Sequence, residues 1–478
     1  MATTTRYGLF TGVNTTQVVL HPLQSEWDAD LRGGDPLAFP GYTPPEEESV
    51  VTGRTSAGYA LIQGRFDVLG GSMGAAHGER VVRAYRRAAD ERLPVVVVTS
   101  SGGARMQEGM VSLIQMSRTA AAAQAHAAEG LLQVAVHRSP TTGGVLASYA
   151  SLADVRAAEP GALIGFAGPR VVELTTGEKL PGDSHSAESA YAAGLVDALV
   201  PRAEQAEWVD AVLGRRNRPW RHGWIWAGVG SASEQRARER SGSSAERAID
   251  TVARARAPHR PPADAWAARL CDSWIPLHAA DPAIRAGLAT FEGRRIVVVA
   301  MTRERPTPAG YRLARRAFAL AGRLGLPVLT LVDTPGADPS ASSEAAGIAR
   351  EIARTFAAMA ALPVPSVGVC VGEGGSGGAL ALAAADRLLL LEHAVFSVIS
   401  PEGAAAILDR TSETAPQRAE DLRLTSGDLL RLGIIDEVIQ EDDAALRRAI
   451  GRALDTAIVG DRTSRFDRAT ARALGASA

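Results

Sequence analysis

The chain carries one pattern twice at nearly one spacing, and few folds accommodate that. Pro94 precedes the apolar run 95–99 and lies nine positions before Gly103, while Pro327 precedes 328–333 and lies nine positions before Gly336. From Gly103 to Gly144 is 41 positions, and from Gly336 to Gly378 is 42. In each copy a continuous apolar run, as a strand buried on both faces requires, passes through a glycine turn into a helix of small residues. Phe166-Ala167-Gly168-Pro169 then answers to Ser397-Val398-Ile399-Ser400-Pro401. One strand–turn–helix fold occurs twice, which makes this a tandem α/β protein.

The densest glycine turn is Val371-Gly372-Glu373-Gly374-Gly375-Ser376-Gly377-Gly378-Ala379-Leu380, with five glycines in seven residues between a strand and a helix. Glycine in a strand or helix interior costs about 0.5–1 kcal/mol relative to alanine, so packing alone is a poor reason for five. A bare turn at a helix start presents unpaired N–H groups to an approaching oxygen, which is an anion or oxyanion site. The phosphate loop is excluded because no Gly-Lys-Ser/Thr closes the motif, and the dinucleotide fingerprint because Asp386 comes too early. The plainer alternative is a tight turn serving close helix–sheet packing.

At 478 residues and 46% hydrophobic content, the chain can bury two or three domains' worth of core. Its formal net charge of −2 provides no global field for nucleic acid or an anionic membrane. Lys179 is the sole lysine among 51 basic residues. A Schiff base or covalently attached biotin therefore has almost no candidate here, and any ligand phosphate must meet arginine or backbone N–H. Cys271 and Cys370 stand far apart and form neither a disulfide framework nor a zinc ribbon, so no metal is expected. With no signal-peptide pattern and no apolar run long enough to span a bilayer, the expected location is the cytoplasm.

Along the chain, residues 1–50 form a lead-in with one short helix expected around 26–31. Strands are expected at 59–66, 95–99 and 132–136, and helices at 78–92 and 106–127. Residues 203–262 are rich in Arg, Glu, Ser and Gly, with 230–240 the best linker segment. Trp220, Trp224 and Trp226 there serve either as a ligand surface or, the commoner use of large aromatics, as a packed patch. The expected division is a lead-in 1–50, a first domain 51–202, a linker 203–254 and a second domain 255–478.

These motifs resemble a known family. Residues 62–200 are similar to the β subunit of bacterial acetyl-CoA carboxylase carboxyltransferase through Gly70-Gly71-Ser72-Met73-Gly74, Ser101-Gly102-Gly103-Ala104-Arg105-Met106-Gln107-Glu108, Thr141-Thr142-Gly143-Gly144 and Ile164-Gly165-Phe166-Ala167-Gly168-Pro169-Arg170-Val171. Residues 255–439 resemble the α subunit through Asp333-Thr334-Pro335-Gly336-Ala337, the glycine stretch at 371–380 and Phe396-Ser397-Val398-Ile399-Ser400-Pro401-Glu402-Gly403. The resemblance covers about three quarters of the chain. It implies a fused β–α chain of two tandem crotonase-like (ClpP/crotonase) domains, each a ββα superhelix. It also implies transfer of a carboxyl group from carboxybiotin, held on a separate biotin carboxyl carrier protein and charged by a biotin carboxylase, to acetyl-CoA or a related short acyl-CoA, giving malonyl-CoA.

That chemistry develops charge on two oxygens, the biotin ureido oxygen and the thioester oxygen, and two developing oxyanions call for two sets of N–H donors. By the resemblance, Gly377 and Gly378 meet the biotin oxygen, with Gly374 and Gly375 lining that side. Gly143 and Gly144 meet the thioester oxygen, and Gly102, Gly103, Ala104 and Gly168 line the acyl-CoA side. Arg105 and Arg170 either meet coenzyme A phosphates or pair with carboxylates. The biotin nitrogen freed on decarboxylation is the expected base, so His77, His126 and His137 read as structural or surface residues. The family also implies a homodimer or higher assembly with the first domain of one subunit facing the second of another, although a linker of roughly sixty residues also permits a site within one chain. Alanine-rich helices such as 119–128 and 379–385 are expected to be buried against another domain.

Three departures border the site: the β-type zinc ribbon is missing, the α-type Gly-His-Gln-Lys-Gly-Arg is replaced by Ala300-Met301-Thr302-Arg303-Glu304-Arg305, and the loop after Gly336-Ala337 is shortened to 338–343. The alternative readings are a malonyl-thioester decarboxylase, a carboxyltransferase for another acyl-CoA, and a scaffold without activity.

Overall fold

The computed structural model describes residues 20–168, 172–173, 184–215 and 247–475. Within them the two halves have the same strand order. The first sheet contains β1 (Leu23–Trp27), β2 (Val50–Thr55), β3 (Ala60–Gly64), β4 (Val95–Ser101), β5 (Gln133–Thr142), β6 (Val155–Ala158), β7 (Ile164–Gly165) and β8 (Ala198–Leu199). It is ordered β1-β2-β3-β4-β5-β6-β8, with β7 paired to the far end of β5. The second contains β9 (Ser273–Pro276), β10 (Ile284–Phe291), β11 (Arg294–Met301), β12 (Val328–Thr334), β13 (Ser366–Gly375), β14 (Arg387–Leu391), β15 (Val395–Ser397) and β16 (Glu437–Ile439). Its order runs β9-β10-β11-β12-β13-β14-β16, with β15 on β13. In both sheets the first three strands pair antiparallel and the rest parallel. This is the expected tandem α/β architecture, one fold occurring twice.

The parallel strands are continuous apolar runs because helices cover them: Val95, Val96, Val97 and Val98 in β4, and Val328, Leu329, Leu331 and Val332 in β12, are all buried. Register fixes how the halves correspond. Ser101 pairs with Thr141 and Thr334 with Gly374, and each pair spans 40 positions. Gly143 therefore matches Ser376, and Gly144 matches Gly377. The sequence comparison, which set Gly144 against Gly378, was one residue out.

Two further expectations change. Residues 23–27 form an edge strand antiparallel to β2 rather than part of a helix at 26–31, with Trp27 buried beneath Arg87. The glycine stretch is mostly strand, since β13 runs to Gly375 before the helix Ser376–Ala383 begins. Gln205–Val212 and Ala248–Ala255 are helices within the segment read as linker, while Trp220, Trp224, Trp226 and residues 230–240 lie outside the described residues.

The halves share one core. Helix Gly109–Ala128 of the first half is buried almost all round, with Ala120, Ala122 and Ala123 among its buried residues. It packs on Ile348–Ala360, Ser376–Ala383 and Asp461–Ala473 of the second half. Its alanine-rich face is thus covered by the same chain. Gln115 and Arg118 on this helix donate hydrogen bonds to Thr470 and Asp467, fixing the last helix across the joint.

Candidate active site

Each half builds its turn with the same bonds. At the end of β4 the Gly103 N–H donates to Ser101 Oγ (3.0 Å), and the Arg105 N–H donates to the Met73 carbonyl (3.0 Å). At the end of β12 the Gly336 N–H donates to Thr334 Oγ1 (3.2 Å), and the Asp338 N–H to the Pro306 carbonyl (3.0 Å). The intervening alanine N–H, of Ala104 or Ala337, takes no part in these bonds. Gly103 and Gly336 have φ of 113° and 130°, which strongly favours glycine.

Against each strand end lies a helix start. Gly143–Leu146 begins after β5, and Gly143 donates its N–H to the Phe166 carbonyl (3.0 Å). Gly144 follows in the first turn, where a helix leaves its N–H groups without intrahelical partners, and so does Gly377 in Ser376–Ala383. The pieces touch. A β-carbon on Gly103 would stand 3.5 Å from the Gly144 nitrogen, and one on Gly378 would stand 2.6 Å from the Ala337 nitrogen. Each half thereby presses the strand end that carries Ala104 or Ala337 against the helix start that carries Gly144 or Gly377. Sequence reading gave Ala104 only as a lining residue and omitted Ala337, because neither carries the glycine signature.

The two turns meet at one side chain. Met116, 1% exposed, lies with Sδ 3.3 Å from where a Gly144 β-carbon would be, and with Cε 2.6 Å from the same position on Gly377. The other glycines answer to packing. A β-carbon on Gly374 would strike Phe396, and one on Gly375 would strike Pro335. Gly378 accepts the Tyr311 hydroxyl at its carbonyl (3.0 Å). The Gly102 N–H donates to the Gly70 carbonyl, and among the described residues nothing lies within 4 Å of where a Gly168 β-carbon would be. Arg170 and Lys179 lie outside the described residues.

Of the two readings open for Arg105, the structure shows the pairing with carboxylates. Its side chain, 0% exposed, donates to Glu48 and Glu108 and caps the Ser72 carbonyl, so it is enclosed with two carboxylates and cannot reach a phosphate. Burial works against the Glu48 charge, yet the Arg105 guanidinium holds that carboxyl below its ordinary range, while burial pushes Glu108 upward. The histidines are buried. His77 bonds Ser49 Oγ and Tyr149 Oη, His137 bonds Thr99 Oγ1, and His126 bonds the Leu93 carbonyl. Burial pulls His77 and His137 down to about 3, so both are neutral near pH 7.

Beside the second turn the altered segment supplies cations. Arg303 Nε donates to Asp333 (2.9 Å), whose other oxygen accepts the Glu373 N–H (3.0 Å). Arg256 bridges Glu373 and Glu402. Arg305 Nη1 stands 3.6 Å from where a β-carbon on Gly336 would be, facing Asp338 and Glu373. No helix among the described residues is long and apolar enough to cross a membrane.

Two family models match the chain, one in each half. Residues 46–201 match the family described as "Carboxyl transferase domain", and residues 233–458 match "Acetyl co-enzyme A carboxylase carboxyltransferase-like". The chain is 46% identical to "Acetyl-coenzyme A carboxylase carboxyl transferase subunits beta/alpha" of Salinispora arenicola, over 82% of this chain and 73% of that protein. The protein of the same name from Saccharopolyspora erythraea is 43% identical over 84% and 76%. A "Probable biotin-dependent acyl-coenzyme A carboxylase beta3 subunit" of Mycobacterium bovis is 36% identical over 84% and 81%. With both halves matched in order and two bare turns of one design between them, this chain belongs to the acetyl-CoA carboxylase carboxyltransferase family, with β-type and α-type halves in a single chain.

Proposed function

We propose that this protein moves a carboxyl group from carboxybiotin, borne by a separate biotin carboxyl carrier protein and formed there by a biotin carboxylase, to acetyl-CoA or a related short acyl-CoA, yielding malonyl-CoA in the acetyl case. The observation that carries this is the pair of turns, in each of which a strand end bearing an alanine is pressed against a helix start bearing a glycine. Ala104 and Gly144 receive the thioester oxygen of the acyl-CoA. Ala337 and Gly377 receive the ureido oxygen of biotin, with Gly378 kept bare so that Ala337 can approach. Carboxybiotin itself supplies the carboxyl group and, once that has left, a basic nitrogen. The protein's part is to hold preorganised donors where charge develops, and removing one such donor typically costs about 10²–10³ in rate.

Arg305, beside Gly336, is the cation placed to attract the anionic carboxyl group as it passes. His77 and His137 are neutral, enclosed and hydrogen-bonded, which supports a mechanism without a side-chain base. Buried Met116 fills the space between the two turns of one chain, and this supports sites completed by a second copy, in a cytoplasmic homodimer or larger assembly.

The test supplies purified protein with carboxylated biotin carrier and a panel of acyl-CoAs, followed by mass spectrometry of the products. Malonyl-CoA or a homologue should form only with the carboxylated carrier present. Release of carbon dioxide from malonyl-CoA without biotin, and no carboxylation of any acyl-CoA, would replace this reading with a decarboxylase.

A further inference from the structure

A carboxylate of the second half reaches into the first. Glu344, 12% exposed in its side chain, accepts the Phe166 N–H at Oε2 (2.9 Å) and the Ala167 N–H at Oε1 (2.9 Å). The Ala167 N–H and the Phe166 carbonyl belong to one peptide group, and that carbonyl accepts the Gly143 N–H at 3.0 Å. A single peptide plane is therefore held on one edge by Glu344 and holds Gly143 on the other. Gly143 has φ 59°, and holding its N–H anchors the peptide plane from which the Gly143 backbone aims the next N–H, that of Gly144.

At its other end Glu344 is tied to the second turn. Its helix, Ala341–Ala345, starts four residues after Ala337, with Ser340 as the N-cap. Asp338, the residue after Ala337, accepts both Ser340 Oγ (2.6 Å) and Ser343 Oγ (2.5 Å). The path from Ala337 to Gly144 thus runs through short bonds and two carboxylates, Asp338 and Glu344. It has no mirror image: among the described residues, the N–H groups of the corresponding Val398 and Ile399 donate to no side chain of the first half.

From this geometry we infer that Glu344 is a positioning residue that sets the acyl-CoA turn from the biotin half. The inference rests on the assignment of turns given above. Charged acceptors make stronger hydrogen bonds, and bonds in series polarise one another, so a carboxylate on two N–H groups fixes the plane more firmly than a neutral side chain. In Glu344→Gln one oxygen becomes an NH2 group that faces an N–H. Glu344→Asp keeps the charge but is too short to serve both N–H groups.

Two half-reactions separate the outcomes: decarboxylation of malonyl-CoA, which loads the first turn, and decay of the carboxylated carrier, which loads the second. Glu344→Gln is expected to slow the first by about tenfold to hundredfold while the second stays within about twofold, as a misplaced donor in one site should. Glu344→Asp should fall between, and amide exchange at Ala167 should quicken in both variants. Equal loss in both half-reactions together with a lowered Tm would make Glu344 merely structural, and no loss in either would also overturn the inference. Gly144→Val serves as the reference: if it spares malonyl-CoA decarboxylation, the assignment of turns has failed independently of Glu344.

Discussion

Gly143 and Ser376 occupy the same place in their halves and share a left-handed backbone, with φ of 59° and 55°, yet one is glycine and the other is not. In the first half a β-carbon at Gly143 would come within 2.8 Å of the Gly103 Cα. In the second half that place carries a side chain, and bareness is needed two residues later at Gly378, where a β-carbon would meet the Ala337 nitrogen and the Tyr311 hydroxyl. The first half has buried Val145 at the place of Gly378. Both turns require a strand end pressed against a helix start, but the residue that makes room differs. The invariant is a contact, and glycine marks it in different columns.

The strongest way to break that equivalence is to put a side chain at the helix start of each turn. Gly144→Val and Gly378→Val should each lower overall carboxyl transfer by about 10²–10³, whereas Leu380→Val, two residues on, should be nearly silent. The half-reactions should divide, with Gly144→Val stopping malonyl-CoA decarboxylation and Gly378→Val stopping decay of the carboxylated carrier. Mixing the two inactive variants under verified subunit exchange then asks whose turns cooperate. Sites completed by a second copy should restore about a quarter of wild-type activity on statistical pairing in a dimer, and sites made within one chain should restore none.

Acid should separate the halves next. The first half buries His77 and His137, both pulled down to about 3, and among the described residues the second half buries no histidine. A histidine takes up its proton in the unfolded chain near 6.5, well above its folded value, so its contribution is fully present above that pH and is lost as pH falls toward 3. At pH 5 the loss is about 2 kcal/mol for each histidine. Hydrogen exchange compared at pH 8 and pH 5 should show β4 and β5 losing protection before β12 and β13. Equal loss in both sheets would mean that other groups govern acid stability.

The fold was legible because buried parallel strands leave continuous apolar runs, and the repeat of Val95–Ser101 in Val328–Thr334 shows without coordinates. What escaped is what depends on facing residues. Trp27 was read into a helix, but the edge of β2 claims it as strand. Arg105 sits in a glycine motif and invited a substrate role, while Glu48, 57 positions away, neutralises it. Glu344 lies in a stretch of serines and alanines and bonds a loop 178 positions distant, so nothing local signals it. Ser376 hid the register because a left-handed serine looks like any other, and counting glycines then ran one residue past Gly377.

That serine gives the finest test of the comparison. Left-handed backbone costs a non-glycine residue on the order of 1–3 kcal/mol, so Ser376 holds strain that Gly143 does not. Ser376→Gly relieves it but frees the unfolded chain, an opposing effect of about 0.4–1 kcal/mol, and the net change should be a gain of up to about 2.5 kcal/mol. Gly143→Ser makes the opposite exchange and adds the collision with Gly103, so it should lose about 1–3 kcal/mol and slow the acyl-CoA half-reaction. Chemical denaturation of both variants measures the difference. If the turns are the same device, the effects have opposite signs and Ser376→Gly leaves carrier decay unchanged. Were Ser376→Gly instead to slow that half-reaction, the serine hydroxyl would have a part in the biotin turn that Gly143 has no means to play, and the two halves would be alike in backbone only.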